Sequence, residues 1–410
     1  MIKKAFVFFC IFLFSVFTAF ADFSLSGYYK SFFIEYKPVK FFENQSNDPD
    51  GMVSNHLRLN FSWDISPNLS LKISYDLVPR VENKNSDYVF SDILNYSNPY
   101  RAYDFKSELY PTDGGSGNFS LKHNLDRAFL RISLNFADIY IGRQTISWGS
   151  AKIVNPTDIF APFSFNELDK EERRGVDAVR VRIPIEDLSE IDSGYVFGDK
   201  FTFEKSGFFV RGKFFALNTD FSLLAIGFQR NLLLGFDKTR PLGGASIWIE
   251  SAYVKNNFYD KDTIKPQTSY FRLSAGIDYN FKGLYTMLEY HYNGAGSENP
   301  ENYLILYGKE AYNTGAVYLM GKNYVSIMTN YQLTGLLTNT NLIIYNISDN
   351  STIISPTLEY NFSENVYINI GAFWGFGKKP EVALLLAPPS LQSEFGSYPD
   401  MIYSSFRIYF

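Results

Sequence analysis

Cysteine is almost missing from this chain. The one present, Cys10, lies in the first apolar stretch, so neither an intrachain disulfide nor a thiolate metal centre can be built. Histidine is nearly as scarce: His56, His123 and His291 stand in no arrangement that supports general-base, nucleophilic or metal chemistry. Walker, Rossmann, zinc and EF-hand spacings are missing too. The reading is therefore a protein that is not an enzyme and needs no cofactor. No segment beyond Ala21 holds the roughly 18 consecutive apolar residues of a membrane-spanning helix. Nor is there an excess of positive charge. The 38 basic and 43 acidic residues give −5, which offers no field for nucleic acid.

What the chain has in abundance is aromatic residues, 30 Tyr and 40 Phe in 410 residues, while the mean hydropathy is slightly negative. The aromatics are dispersed among Ser, Asn and Thr instead of being gathered in apolar runs. Such a mixture suits a wall whose outer face meets hydrocarbon and whose inner face meets water. No linker or composition break divides the chain after the N-terminal stretch, so one continuous unit over 22–410 is expected. Residues 1–21 read as a signal peptide. Lys3 and Lys4 precede the apolar run Ala5–Phe17, and Ala19-Phe20-Ala21 gives a small-x-small cleavage pattern.

Alternation with period 2 marks the strands. Leu125–Phe136 places Asp126, Ala128, Leu130, Ile132, Leu134 and Phe136 on one face and Arg127, Phe129, Arg131, Ser133 and Asn135 on the other. The same pattern recurs from Phe23 to Phe410, with short turns such as Ser66-Pro67-Asn68 alternating with longer polar loops such as Val81–Asn124. Eighteen strands result, or 16 if the weakest segments (Glu190–Phe197, Phe221–Gln229, Asn231–Thr239) fall away. An even count returns both termini to one side. The fold class is all-β, a transmembrane antiparallel up-and-down barrel. Pro184 and Pro356 are expected at bulges or strand ends, because proline removes a ladder hydrogen bond. Trp63, Tyr75, Tyr279, Tyr331, Tyr360, Trp374 and Phe410 are expected in interfacial girdles.

The terminal residues Ile402–Phe410, with alternating apolar positions and a final Phe, resemble the C-terminal strand of bacterial outer-membrane β-barrels. That resemblance implies recognition by the barrel assembly machinery and an outer-membrane address among phospholipid and lipopolysaccharide. The stretch Gly142-Arg143-Gln144, Trp148-Gly149 and Asn155-Pro156-Thr157-Asp158 is similar to one in porin-like outer-membrane proteins and, more loosely, in 18-stranded alginate-export barrels.

By alternation the inward set of the early strands includes Lys30, Arg58, Lys72, Arg127, Arg131, Arg180, Arg182, Arg211 and Lys213. Later strands contribute Glu250, Asp278, Glu289 and Glu359, with Arg272 and Arg407 as exceptions. A basic wall would then oppose a modestly acidic one across a water-filled lumen, a field suited to small polar or charged solutes. The competing reading is that these charges pair and fill the lumen.

The loop Trp148–Arg174 carries Asp158, Glu167, Asp169, Lys170, Glu171, Glu172, Arg173 and Arg174. Folded inward, its carboxylates would meet the arginines and constrict the lumen. Otherwise it is a solvated extracellular loop. Its aromatics favour the packed form. Arg143 shares parity with Ile139 and Ile141, so a bulge is needed to aim it inward. A passive channel is the expectation, with a polysaccharide conduit or a non-conducting structural barrel as alternatives.

Overall fold

The structure is a computed structural model, and it describes residues 22–43, 45–83, 98–105, 108–110, 119–259, 269–313, 317–382 and 389–410. The segment read as a signal peptide and most of the Val81–Asn124 loop lie outside the described residues. Eighteen antiparallel strands close into a barrel. They are β1 (Asp22–Lys37), β2 (Asp50–Ser66), β3 (Leu69–Glu82), β4 (Phe119–Ser133), β5 (Asp138–Gln144), β6 (Val176–Glu186), β7 (Ser189–Phe197), β8 (Gly207–Ala216) and β9 (Thr219–Phe228). The second half comprises β10 (Asn231–Leu242), β11 (Ala245–Lys255), β12 (Tyr270–Phe281), β13 (Leu284–Asn293), β14 (Asn323–Gln332), β15 (Leu337–Asn346), β16 (Ser351–Ser363), β17 (Val366–Phe376) and β18 (Asp400–Tyr409). A three-residue strand, Glu108–Tyr110, pairs only with the start of β4 and takes no part in closure.

Closure is made by β1 on β18, in register from Tyr28↔Tyr409 to Lys37↔Asp400. Two backbone bonds, Gly27 N–H to Phe410 O (2.8 Å) and Phe410 N–H to Gly27 O (3.0 Å), finish the seam. A Cβ at Gly27 would fall 2.3 Å from Arg58 O and 2.9 Å from the Phe410 ring. The seam therefore accepts no side chain there. The ladders of the eighteen strands thus close on themselves, the arrangement that spares a barrel an open sheet edge toward lipid.

The apolar face of the alternation points outward. Leu25, Leu223, Ile370 and Ile402 are each more than half exposed, an arrangement that is stable only against hydrocarbon. Tyr279, Tyr331, Tyr360, Trp374 and Phe410 stand on the same exposed surface. The ladder is interrupted at both prolines: the β6–β7 register shifts after Pro184, and Ser355-Pro356 is skipped in the pairing of β16 with β17.

Strand limits depart from the sequence reading mainly around the long loops. β4 begins at Phe119, six residues before Leu125, and β5 stops at Gln144 instead of Ser147. The first change comes with a bulge. Ser74 pairs with Arg127 and Tyr75 with Leu125, which leaves Asp126 unpaired between them. Asp126 is thereby turned off the outward face assigned to it by simple alternation and is buried against inward arginines. A bulge inserts one residue and re-aims its side chain.

Candidate functional site

The loop between β5 and β6 runs across the inside of the barrel. Its first contact is apolar. The Trp148 ring lies 4.7 Å from Phe209 and 6.2 Å from Phe160, among the inward Val176, Ala178, Val196, Ile226 and Leu233. Trp148 Nε1 donates to Asp192 on β7 (3.1 Å). The chain then meets two buried carboxylates of the opposite wall. Glu250 on β11 accepts the N–H of Ala151 (2.9 Å) and of Thr157 (2.8 Å) and the Thr157 hydroxyl (2.7 Å). Glu289 on β13 accepts the N–H of Lys152 (2.7 Å), Ile153 (3.2 Å) and Val154 (3.1 Å), and Trp248 Nε1 (3.0 Å). Among these, only Pro156 has no N–H to offer, and it stands between the donors of Asn155 and Thr157. Farther on, Phe165 packs against Phe395, Tyr398 and Tyr318.

The acidic run that follows faces β1, β2, β4 and β18. Lys30 Nζ lies 2.7 Å from both Asp169 and Glu171. Arg407 reaches Glu171 at 3.0 Å and is also paired with Glu359. Arg127 bonds Asp126 and the Arg173 carbonyl and lies 3.4 Å from Glu172. Arg58 holds Asp76 (3.2 Å) and Asp126 (3.0 Å), with Glu172 at 3.9 Å. Inside the loop, Arg173 pairs with Asp158 and Arg174 with Glu167.

Burial sets the titration of the loop groups. Glu167 is pushed up to about 7 by burial, against the opposing charges of Arg174 and Lys170. Burial also brings Lys170 down to about 8, and it raises Asp158 despite Arg173. Burial would raise Asp169 as well, but hydrogen bonds and charge from His56 and Lys30 outweigh it and hold that carboxyl well below the usual range.

Toward the short-turn end the lumen carries cations that the loop does not cover. Lys72 is exposed, and Arg131 (44% exposed, 3.0 Å from Asp138) and Arg182 (38%, 2.5 Å from Glu190) remain accessible. Lys213 lies 3.3 Å from Asp220. Arg180 on Asp192 (2.6 Å) and Arg211 on Glu190 (3.2 Å) are more enclosed. Where loop and wall meet, a cavity of about 40 Å³ remains, lined by Tyr28, His56, Arg58, Asp76 and Asp126 of the wall with Asp169 of the loop. That is room for a few waters.

The reading of the inward carboxylates as open lining is corrected, and Arg143 keeps the parity read for it from its strand. Glu289 faces inward, yet it is 1% exposed and is occupied by loop N–H groups. Glu250 is likewise covered, so these two carboxylates of the acidic wall hold the loop, while Glu359 stays partly exposed on Arg407. Arg143 is not aimed into the lumen. Gly142, at φ +117°, bends the strand, but Arg143 pairs opposite Ala128 and Asp177 on the parity of Ile141. Asp177 (2.7 Å), Asp104 (2.7 Å) and the Tyr103 and Leu125 carbonyls take its donors.

Sequence reasoning missed the segment 98–105. Tyr100 is buried against Phe160, and Arg101 donates to Asp126 (2.9 Å) and the Gly175 carbonyl (2.8 Å). Tyr100, Arg101 and Tyr103 stand in a loop where other tyrosines and apolar residues are scattered, so nothing singled the segment out. Among the described residues, no cluster of His, Cys, Asp and Glu is arranged to hold a metal ion.

No family model and no curated protein matches the sequence. Solved structures do share its fold. OccK9 (OpdG) of Pseudomonas aeruginosa superposes with a TM-score of 0.57 at 9% identity, covering 95% of this chain and 99% of its own. OccAB2 of Acinetobacter baumannii gives 0.57 at 7% identity, over 95% and 98% of the two chains. The outer-membrane protein OprD of P. aeruginosa gives 0.55 at 9%, over 95% and 94%. At these identities the likeness is one of fold.

Proposed function

We propose that the chain is a passive, porin-like channel of the bacterial outer membrane. It would admit small polar or charged solutes through a charge-lined lumen narrowed by the loop 148–174. The fold shared with outer-membrane barrels supports the location, as does the apolar belt. Residues 1–21 are then a signal peptide removed on export, and the strand ending in Phe410 is the segment offered to the assembly machinery. The observation that carries the channel reading is the tethered loop itself. A barrel meant only as an anchor needs no segment held across its interior by two buried carboxylates. A barrel of this width without such a segment would leak.

In this reading Lys72, Arg131, Arg182 and Lys213 line the open vestibule, with Arg180 and Arg211 behind them. Arg58 and Arg127 form the wall of the constriction opposite Asp169, Glu171 and Glu172. Asp158, Glu167, Arg173 and Arg174 give the loop its shape from within. No catalytic step is assigned to any of them.

The test is electrical. Purified protein in planar bilayers should give discrete ohmic steps. Arg131→Glu with Arg182→Glu, both partly exposed, should move the reversal potential in a salt gradient toward cation preference. An unmoved reversal potential would remove these residues from the conduction path. Silent membranes would replace the channel reading with that of a non-conducting barrel.

A further inference from the structure

His56 on β2 stands where the acidic run of the loop meets the wall, and each of its ring nitrogens faces a carboxylate. Nδ1 is hydrogen-bonded to Asp169 Oδ2 on the loop at 3.3 Å, and Nε2 lies 3.0 Å from Asp76 Oδ1 on β3 as an ion-pair contact outside hydrogen-bond angles. A neutral imidazole carries one N–H, and its other nitrogen is an acceptor. In that state one of the two carboxylates would confront a lone pair. Only the imidazolium presents a donor to both. The side chain is 4% exposed, so relief of the mismatch is limited to the few waters that the cavity beside it can hold.

The neighbouring groups restrict what else could respond. From β1, Lys30 is the cross-strand partner of His56 and holds Asp169 and Glu171. Also from β1, the Tyr28 ring meets the imidazole edge-on at 5.2 Å. From its own strand, Arg58 holds Asp76. Across the same cavity stand Arg101 of the 98–105 segment, Asp126 of β4, and Glu167, Glu172 and Arg174 of the loop. Both carboxylates beside His56 are also held by a second cation, Asp76 by Arg58 and Asp169 by Lys30, and the imidazole is the group that bridges the two. Glu167 and Lys170 change charge in the same run, so His56 is isolated by comparing variant and unaltered protein at one pH.

We propose that His56 is a proton-operated tie between the barrel wall and the inward loop. Protonated, it links Asp76 to Asp169 and draws the acidic run onto β1 and β2. When the proton leaves to solvent, one bond of the bridge turns repulsive and the run moves off the wall, widening the passage. Lys30, Arg127 and Arg407 still hold the run, so the response is a graded loosening and not a full release. This regulation rests on the channel reading, but its structural half can be tested without it.

Amide exchange over residues 167–174 separates the two. At pH 5.5, His56→Gln should exchange about tenfold faster than the unaltered protein, the size of effect expected from losing a charge-assisted hydrogen bond. At pH 8.5 the two should match. In an Asp169→Asn background, which removes one of the facing carboxylates, His56→Gln should no longer change the exchange at pH 5.5. In bilayers the unaltered channel should conduct more at pH 8.5 than at 5.5, while His56→Gln stays high at both. Equal exchange of the Gln variant and the unaltered protein at both pH values overturns the tie. The predicted exchange difference without conductance at any pH leaves the tie standing and overturns the channel.

Discussion

Replacing Glu289 with glutamine changes one atom and should free part of the loop 148–174. The two oxygens of Glu289 divide their work. Oε1 accepts from Ile153 (3.2 Å) and Val154 (3.1 Å), and Oε2 accepts from Lys152 (2.7 Å) and Trp248 (3.0 Å). An amide has one oxygen. In either orientation its NH2 group confronts two donors, which lose their acceptor in a site only 1% exposed. Each orphaned buried donor costs about 1–3 kcal/mol, so about 3 kcal/mol is a fair total after local relaxation. At about 1.4 kcal/mol per factor of ten, the population with residues 152–154 detached should rise roughly a hundredfold. Glu250 keeps Ala151 and Thr157 in place, so the release is local. Exchange of the Lys152, Ile153 and Val154 amides should accelerate by that factor while Ala151 and Thr157 hold. Single-channel records should gain brief excursions to a higher conductance. The barrel itself should remain heat-modifiable on a gel. If the three amides exchange at the original rate in an intact barrel, the carboxylate does not hold the loop and the reasoning fails.

Two further outcomes follow from other parts of the molecule. Glu394, in the loop before β18, is fully buried. It accepts from the Met320 and Gly321 N–H groups, Tyr324 Oη and the Asn346 side chain. Burial pushes its carboxyl up to about 7 from 4.5. A raised folded value means that docking of this loop is strongest below about 4.5 and weakens as pH rises through about 7. Intrinsic-rate-corrected exchange at Met320 and Gly321 should accordingly be faster at pH 8 than at pH 5, and Glu394→Gln should flatten that dependence. Gly142→Ala should lower the urea midpoint of the reconstituted barrel by the equivalent of about 2–3 kcal/mol. The residue holds φ +117°, and a Cβ there would lie 2.2 Å from Ala128 O. An unchanged midpoint would mean that β4 and β5 can part without cost.

The wall was legible because hydrocarbon outside and water inside impose a two-residue rhythm that each strand obeys on its own. The segments read as weakest, Glu190–Phe197, Phe221–Gln229 and Asn231–Thr239, all form strands. What stayed hidden depends on the third dimension. Asp126 changes face because one residue is inserted opposite β3, and no periodicity within β4 announces that. Glu250 and Glu289 read as acidic lining, and nothing local says that peptide N–H groups from a loop far away in sequence will cover them. The 98–105 segment carries no alternation at all. Its tie to Asp126 through Arg101 exists only once β4 has its bulge.

The grip of Glu289 on the peptide groups of residues 152–154 has a consequence for redesign that Glu250, which also reads the Thr157 hydroxyl, does not share. A clamp that reads the main chain is indifferent to the side chains it passes under. Substitutions at Lys152 or Ile153 could therefore retune the bore without unseating the segment, proline alone being barred because it brings no hydrogen to the clamp. In the channel proposed above, this segment is thus an interchangeable insert, whose mounting is carried by the staves and not by the insert.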